Sequence, residues 1–137
     1  MSTITDPDAD PSTGRPTSLG QVHITVADLD RAIAFYRDGL GLDLLFTVPG
    51  QSMAFLQVGD TRLYLGAAES PEFRSSPVLY FTVGDIHVAH TAMTARDVPF
   101  VEAPHIVHRT PASELWMAFA RDPDGNHVAI MQDAPVA

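Results

Sequence analysis

The first clear pattern in the chain is an alternation of apolar and polar positions. Val22, Ile24 and Val26 are separated by polar residues, which is the period-two pattern of a strand with two unlike faces. The pattern then becomes helical, because Asp28 suits an N-cap and apolar residues recur at helical spacing until Gly41. Further strand-like runs follow at residues 42–48, 52–58 and 61–65, separated by Pro-Gly and Gly-Asp turns.

The same order of elements restarts after a proline-bounded linker at residues 71–77. Asp85 is a second candidate N-cap, and Pro99 ends the helical pattern that follows it. The stretch Thr25-Val26-Ala27-Asp28-Leu29 aligns with Thr82-Val83-Gly84-Asp85-Ile86, so the chain contains an internal duplication. The predicted strands of this second unit are residues 78–83, 100–109, 115–121 and 127–132.

Two stacked units would cover the sheet face that a single unit leaves bare. We therefore predict an α+β fold in which two paired βαβββ units, residues 19–68 and 77–133, form one domain spanning residues 19–133. Its sheet is expected to be cupped, mixed and mostly antiparallel, around a cleft. Residues 1–18, rich in Pro, Asp, Ser and Thr, have little to bury and are predicted to form a flexible tail.

The composition excludes several classes of function. The 137 residues include no cysteine, which rules out disulfides, thiolate metal sites and a cysteine nucleophile. Acidic residues outnumber basic ones 17 to 8, and every basic residue is a scattered Arg, so we expect no nucleic-acid partner. No apolar run is long enough for a membrane span or a signal peptide, so we expect a soluble, cytoplasmic protein without a membrane partner.

Three stretches together resemble one superfamily: VHITVADLDRAIAFYRDGLGL, LYFTVGDI and ARDPDGNHVAIMQ. They are similar to the glyoxalase-like subgroup of the vicinal-oxygen-chelate superfamily, which includes glyoxalase, bleomycin-resistance proteins and extradiol dioxygenases. The resemblance covers about residues 19–132 and implies paired βαβββ units, commonly in a homodimer. It says little about reaction type, because one scaffold hosts many chemistries.

The resemblance also implies a divalent metal, held by one residue on the first and one on the last strand of each unit. Carried onto this chain, these positions are Gln21, Tyr64, Val78 and Ala129. Gln21 is an acceptable ligand, but the Tyr64 phenol must lose a proton whose pKa is ~10, and the other two residues offer no donor atom. We therefore expect no metal at the usual family positions and name no firm cofactor.

Strand parity predicts other polar side chains in the cleft, since residues two apart share a face. His23 and Tyr80 occupy equivalent places in the two units. With an ordinary pKa of ~6.5, His23 is a candidate general acid or base, or a donor that orients a ligand. The alternative for His23 is a hydrogen bond to a neighbouring strand. The predicted ligand-binding set is Gln21, His23, Tyr64, Tyr80, His105, His108, Trp116 and His127.

The hairpin region contains the most unusual polar cluster. His105 and His108 are three apart, so in a regular strand they point to opposite faces and need a bulge to share an ion. One hypothesis is a relocated site of His23, His105, His108 and Glu114 that holds a divalent metal (Ni, Zn, Mn or Fe), with Glu114 as a second candidate catalytic residue. The other is a solvated hairpin with an Arg109–Glu114 surface pair. Trp116 would then serve packing or an interface.

Three classes of function remain open. The first is a small-molecule binding protein similar to the bleomycin-resistance branch, in which the usual metal site is degraded. The second is a glyoxalase-like lyase or isomerase that uses the relocated metal. The third is a noncatalytic dimeric module. The sequence favours the first, because Val78 and Ala129 replace ligands; the expected partners are a small-molecule ligand or substrate and a second copy of the chain.

Overall fold

The computed structural model describes residues 11–68 and 70–136. After a short 3-10 helix (Pro11–Thr13), the first unit contains β1 (Gln21–Thr25), a helix, β2 (Asp43–Thr47), β3 (Met53–Val58) and β4 (Thr61–Gly66). The helix begins as α1 (Leu29–Ile33), where the carboxylate of Asp28 accepts a hydrogen bond from the Arg31 N–H at 3.2 Å. It continues as a π-helical segment, Ala34–Gly39.

The second unit repeats this order after a 3-10 turn, Pro71–Phe73. Its helix begins after Asp85, whose carboxylate accepts hydrogen bonds from the N–H groups of His87 and Val88 at 3.0 and 3.1 Å. Both predicted N-caps are therefore confirmed. The elements are β5 (Leu79–Thr82), α2 (Ile86–Ala95), β6 (Phe100–Arg109), β7 (Ser113–Arg121) and β8 (His127–Pro135).

The strands form two open four-stranded sheets, in the orders β1-β4-β3-β2 and β5-β8-β7-β6. In each sheet the first strand pairs in parallel with the last strand of its unit, and the other pairs are antiparallel. The predicted α+β fold of paired βαβββ units is confirmed. Of the predicted tail, residues 1–10 lie outside the described residues, and residues 12–18 are exposed.

One face of each sheet is covered by a helix. The first helix packs on β3 and β4, and α2 packs on β6, β7 and β8. We call the other side of each sheet its open face. Neither helix in the described ranges is long and apolar enough to cross a membrane. The core between helices and sheets includes Ile24, Leu56, Leu65, Ile86, Val128 and Ile130, which are at most 2% exposed.

A buried hydrogen bond connects the two units. The hydroxyl of Tyr36, which is fully buried in the first helix, donates to the Asp122 carboxylate at 2.7 Å. That carboxylate also accepts hydrogen bonds from the N–H groups of Asp124 and Asn126 and from the Asn126 amide, at 2.8–2.9 Å. Burial, followed by the nearby Asp122 charge, raises the pKa of Tyr36 well above its ordinary value. Tyr36 of the first helix and the DPDGN turn therefore join the two units.

Candidate functional site

An aromatic row crosses the open face of the first sheet. The strand register places His23 beside Tyr64, Tyr64 beside Phe55, and Phe55 beside Phe46. Neighbouring ring centroids are 4.4, 4.9 and 4.7 Å apart, with interplanar angles of 35°, 18° and 27°. We call these residues the aromatic row: His23, Tyr64, Phe55 and Phe46.

The rings of the row stand on edge. Their centroids are separated by about the distance between adjacent strands, ~4.8 Å, so their faces bury one another and their edges point away from the sheet. This arrangement explains why Phe55 and Tyr64 are only 9% and 5% exposed although no helix covers this face. Ring edges carry partial positive charge and favour the π face of a further aromatic group or an oxygen acceptor.

The absence of a side chain at Gly66 leaves the space that the Tyr64 ring occupies. A Cβ atom at this position would lie 2.7 Å from the Cε1 atom of Tyr64 and 3.1 Å from its hydroxyl oxygen. The tyrosine ring therefore leans along its own strand over the glycine. The side chain at this family metal position is held by ring packing rather than presented as a ligand.

His23 is the polar end of the row. Both of its ring nitrogens are buried, and neither has a hydrogen-bond partner among the described residues. Leaving such groups unsatisfied costs about 1–3 kcal/mol. The Phe73 ring lies 6.3 Å away, and a cavity of about 370 Å³ borders Gln21, His23, Phe73 and Arg74. The predicted alternative, a His23 hydrogen-bonded to a neighbouring strand, is wrong.

A polar row runs parallel to the aromatic row. Gln21 pairs with Arg62, Arg62 with Gln57, and Gln57 with Asp43. Because residues two apart in a strand share a face, these side chains lie on the open face next to the rings. The guanidinium carbon of Arg62 lies 5.4 Å from the centroid of Phe55, a cation–π contact. We call these residues the polar row: Gln21, Arg62, Gln57 and Asp43.

Tyr80 borders two cavities that the polar row also lines. One of about 190 Å³ lies between Arg62 and Tyr80, and one of about 500 Å³ lies between Gln57 and Tyr80. The larger volume falls in the range of small-molecule sites, roughly 300–1,000 Å³. On its own sheet, Tyr80 is 51% exposed and makes an edge-to-face contact with Phe119 at 6.0 Å.

The four family metal positions do not provide a metal site. Val78 and Ala129 have no donor atom, and the Tyr64 ring is packed between His23 and Phe55. The described residues also contain no group of three or more His, Cys, Asp or Glu side chains placed to hold an ion. The residues present therefore do not fit the divalent centre that the resemblance implies.

The predicted relocated metal site is not assembled. Register shifts in β6 pair His105 with Met117 and His108 with Leu115, so the two histidines share the open face of the second sheet. Glu114 precedes Leu115 and points to the other face. It forms the expected surface pair with Arg109 instead, at 3.4 Å.

Two members of the predicted relocated site, His105 and His23, lie apart from each other. His105 is within hydrogen-bond distance of the Ala103 carbonyl oxygen, at 2.8 Å, and its Nε2 lies 3.5 Å from a Glu102 oxygen. His23 belongs to the first sheet. Hence neither a shared ion nor a catalytic role for Glu114 has support from the geometry.

Trp116 and His127 also lie apart from the aromatic row. Trp116 packs against the core on the helix-covered face and contacts His87 of α2 at 4.8 Å. Its role in ligand binding stays a prediction. His127 starts β8, is exposed and pairs with Arg121. The structure thus brings together Gln21, His23 and Tyr64, with Tyr80 at the neighbouring cavities.

Sequence reasoning missed two of the four residues of the aromatic row, Phe55 and Phe46. Phe55 could have been found from alternation, because Met53, Phe55 and Gln57 share one face of β3. Phe46 could not have been found in this way. In a regular strand it would share the helix-covered face with Leu44, but a register shift between these two residues places it on the open face.

The chain is similar to known proteins both in sequence and in fold. The family model of the Glyoxalase/Bleomycin resistance protein/Dioxygenase superfamily matches residues 18–130. A stretch of 50 residues is 38% identical to catechol-2,3-dioxygenase of Bacillus subtilis (strain 168), covering 36% of this chain and 18% of that protein. The chain therefore spans less than a fifth of that relative's length.

Solved structures with the same fold include proteins of different function. TnmS3, an antibiotic binding protein from Streptomyces sp. CB03234, is 23% identical with a TM-score of 0.69, over 87% of this chain and 98% of that one. Lactoylglutathione lyase from Agrobacterium tumefaciens is 26% identical with a TM-score of 0.65, over 86% and 95%. At these identities the likeness to TnmS3 establishes the fold alone.

Proposed function

Because the chain belongs to the glyoxalase/bleomycin resistance protein/dioxygenase superfamily, we propose that it binds a small aromatic molecule on the open face of its first sheet, without the usual metal centre. The observation that carries the proposal is the aromatic row ending in His23, whose two buried ring nitrogens have no described partner. The fold is compatible with this function, since one solved structure that shares it is of an antibiotic binding protein.

The row provides two kinds of interaction. Its ring edges supply an edge-to-face surface for a planar ligand, worth about 0.5–1.5 kcal/mol per ring pair beyond area burial. His23 supplies one donor and one acceptor while neutral. A ligand oxygen or N–H that reaches His23 would also remove the cost of its unsatisfied nitrogens.

A lyase or isomerase is the second candidate function. Its support is the likeness to lactoylglutathione lyase at 26% identity. It requires a divalent ion held by about three protein ligands. Since Tyr64 is packed and Val78 and Ala129 carry no donors, this candidate needs ligands that the described part of the chain does not group together.

We further propose that the protein acts as a homodimer in the cytoplasm. Exposed apolar side chains at Val101 and Val107 of the edge strand β6, which are 52% and 44% exposed, support self-association. The superfamily resemblance also implies a homodimer, which supports this proposal.

The binding proposal is tested by isothermal titration with a set of planar aromatic compounds, comparing wild type with Phe46→Ala. Phe46 is 45% exposed, so its truncation should disturb the fold little, and we expect affinity to fall about tenfold. Leu45→Ala is the matched control, because Leu45 is adjacent and 44% exposed. Equal affinities for the two variants would refute the role of the row.

A further inference from the structure

Arg62 is a charged side chain that contacts the aromatic row. Its guanidinium lies over the Phe55 ring at 5.4 Å, and no described carboxylate lies within ion-pair distance of it. The side chain is exposed, and an Arg is charged at any physiological pH. A cation held in place on a ligand-facing surface without an anionic partner is available to pair with a ligand.

The neighbours of Arg62 complete an oxygen-binding surface. The amides of Gln21 and Gln57 flank it in the register of the sheet. The Gln57 amide already donates one hydrogen bond to the Gly59 carbonyl oxygen, so its second N–H and the Gln21 amide are left to donate to a ligand oxygen. Asp43, the one acidic member of the polar row, lies two strands from Arg62, about 10 Å away at ordinary strand spacing. The centre of the row is therefore locally positive.

We propose that the ligand is an aromatic acid: a planar ring system that packs on the aromatic row and carries an anionic oxygen group, such as a carboxylate, bound by Arg62. This inference rests on the proposed function and names its ligand class. The formal charge of −9 favours cationic ligands at long range, but that field is screened within about 10 Å at moderate salt. At contact distance, the charge of the Arg62 guanidinium favours an anionic ligand.

The geometry of an arginine suits this role. The planar guanidinium can form two parallel hydrogen bonds to a carboxylate, which a Lys cannot do. The cation–π contact with Phe55 limits the conformations of the side chain before a ligand arrives, so less entropy is lost on binding. Tyr80 lines the cavity beside Arg62, so the second unit borders the same end of the ligand.

The test uses three naphthalene probes that differ in charge: 2-naphthoate, 2-naphthalenemethanol and 2-naphthylmethylammonium. With wild type we expect 2-naphthoate to bind about tenfold more tightly than the alcohol, and the ammonium probe most weakly. Arg62→Gln should lose about tenfold in affinity for 2-naphthoate while binding the alcohol within about twofold of wild type. Arg62→Lys should retain part of the preference. Arg31→Gln, on the first helix, is the control and should change nothing.

The outcomes separate this inference from the proposed function. If wild type binds 2-naphthoate and the alcohol equally, or if Arg62→Gln weakens all three probes alike, the aromatic-acid inference is wrong while aromatic binding stands. If wild type binds none of the probes in isothermal titration, both proposals are wrong.

Discussion

The Tyr36 side chain, at the junction of the two units, makes the stability of this fold depend on pH in the alkaline range. Tyr36 donates to Asp122 from a fully buried position, so its pKa lies well above the ordinary value of ~10. Below pH ~10, Tyr36 is protonated in both the folded and the unfolded chain. Above it, only the unfolded chain releases the proton, so the stability that depends on this hydroxyl is lost as pH rises.

Tyr36→Phe should lower the free energy of unfolding at pH 7 by about 1–3 kcal/mol, because Asp122 loses one donor in a buried site. The gap between wild type and variant should then narrow by about 1.4 kcal/mol per pH unit above ~10. Urea unfolding at pH 7 and at higher pH measures both effects. Tyr80→Phe, at a position 51% exposed, is the control. A gap that stays constant with pH would show that Tyr36 ionises normally.

At the scale of elements, sequence pattern predicted the order of strands and helices well. Period-two alternation predicted the strands, and Asp28 and Asp85 predicted where the two helices begin. The internal duplication predicted the order of elements in the second unit. The β-bulges could not be predicted from the sequence, because a register shift depends on pairing with a distant strand. The shifts in β2 and β6 moved Phe46 into the aromatic row and put His105 and His108 on one face.

The first helix also departs from the predicted regular pattern. Its π-helical segment, Ala34–Gly39, buries Phe35 and Tyr36 side by side and brings Gly39 against the second unit. A Cβ at Gly39 would lie 2.9 Å from Cγ2 of Val98. Glycine is required here by contact between the units, which the sequence of one unit cannot reveal.

Gly39→Ala should therefore destabilise the fold by about 1–3 kcal/mol through overpacking. Gly84→Ala is the control, since a Cβ there meets nothing within 4 Å. Adding Val98→Ala to Gly39→Ala should recover part of the loss, after allowance for the cost of Val98→Ala alone. Thermal and urea unfolding measure the effect; additive losses in the double variant would show that the two residues do not clash.

At the scale of the whole molecule, the two units use the same scaffold differently. The first sheet carries the aromatic row, whereas the equivalent positions in the second sheet include Tyr80, Ala129 and Phe119. Val78 and Ala129 carry no donor atoms for the shared centre that the resemblance implies, so the proposed site consists of residues of the first sheet. The sequence therefore predicted the family and part of the aromatic row, whereas the position of Phe46 required the structure.

The whole chain is expected to associate through exposed apolar surface, including the β6 edge. Sedimentation velocity over a range of protein concentrations should show a dimer, and Val107→Lys, at a residue 44% exposed, should shift it toward monomer. A monomer at every concentration would exclude the proposed homodimer.

A calorimetric titration shows whether the protein binds an aromatic molecule without a metal ion. Wild-type protein, treated with a chelator, is titrated calorimetrically with 2-naphthoate, and the titration is repeated after addition of Ni²⁺, Zn²⁺, Mn²⁺ or Fe²⁺. We expect the same stoichiometric binding in every case. Binding that appears only after one of these ions is added would contradict it.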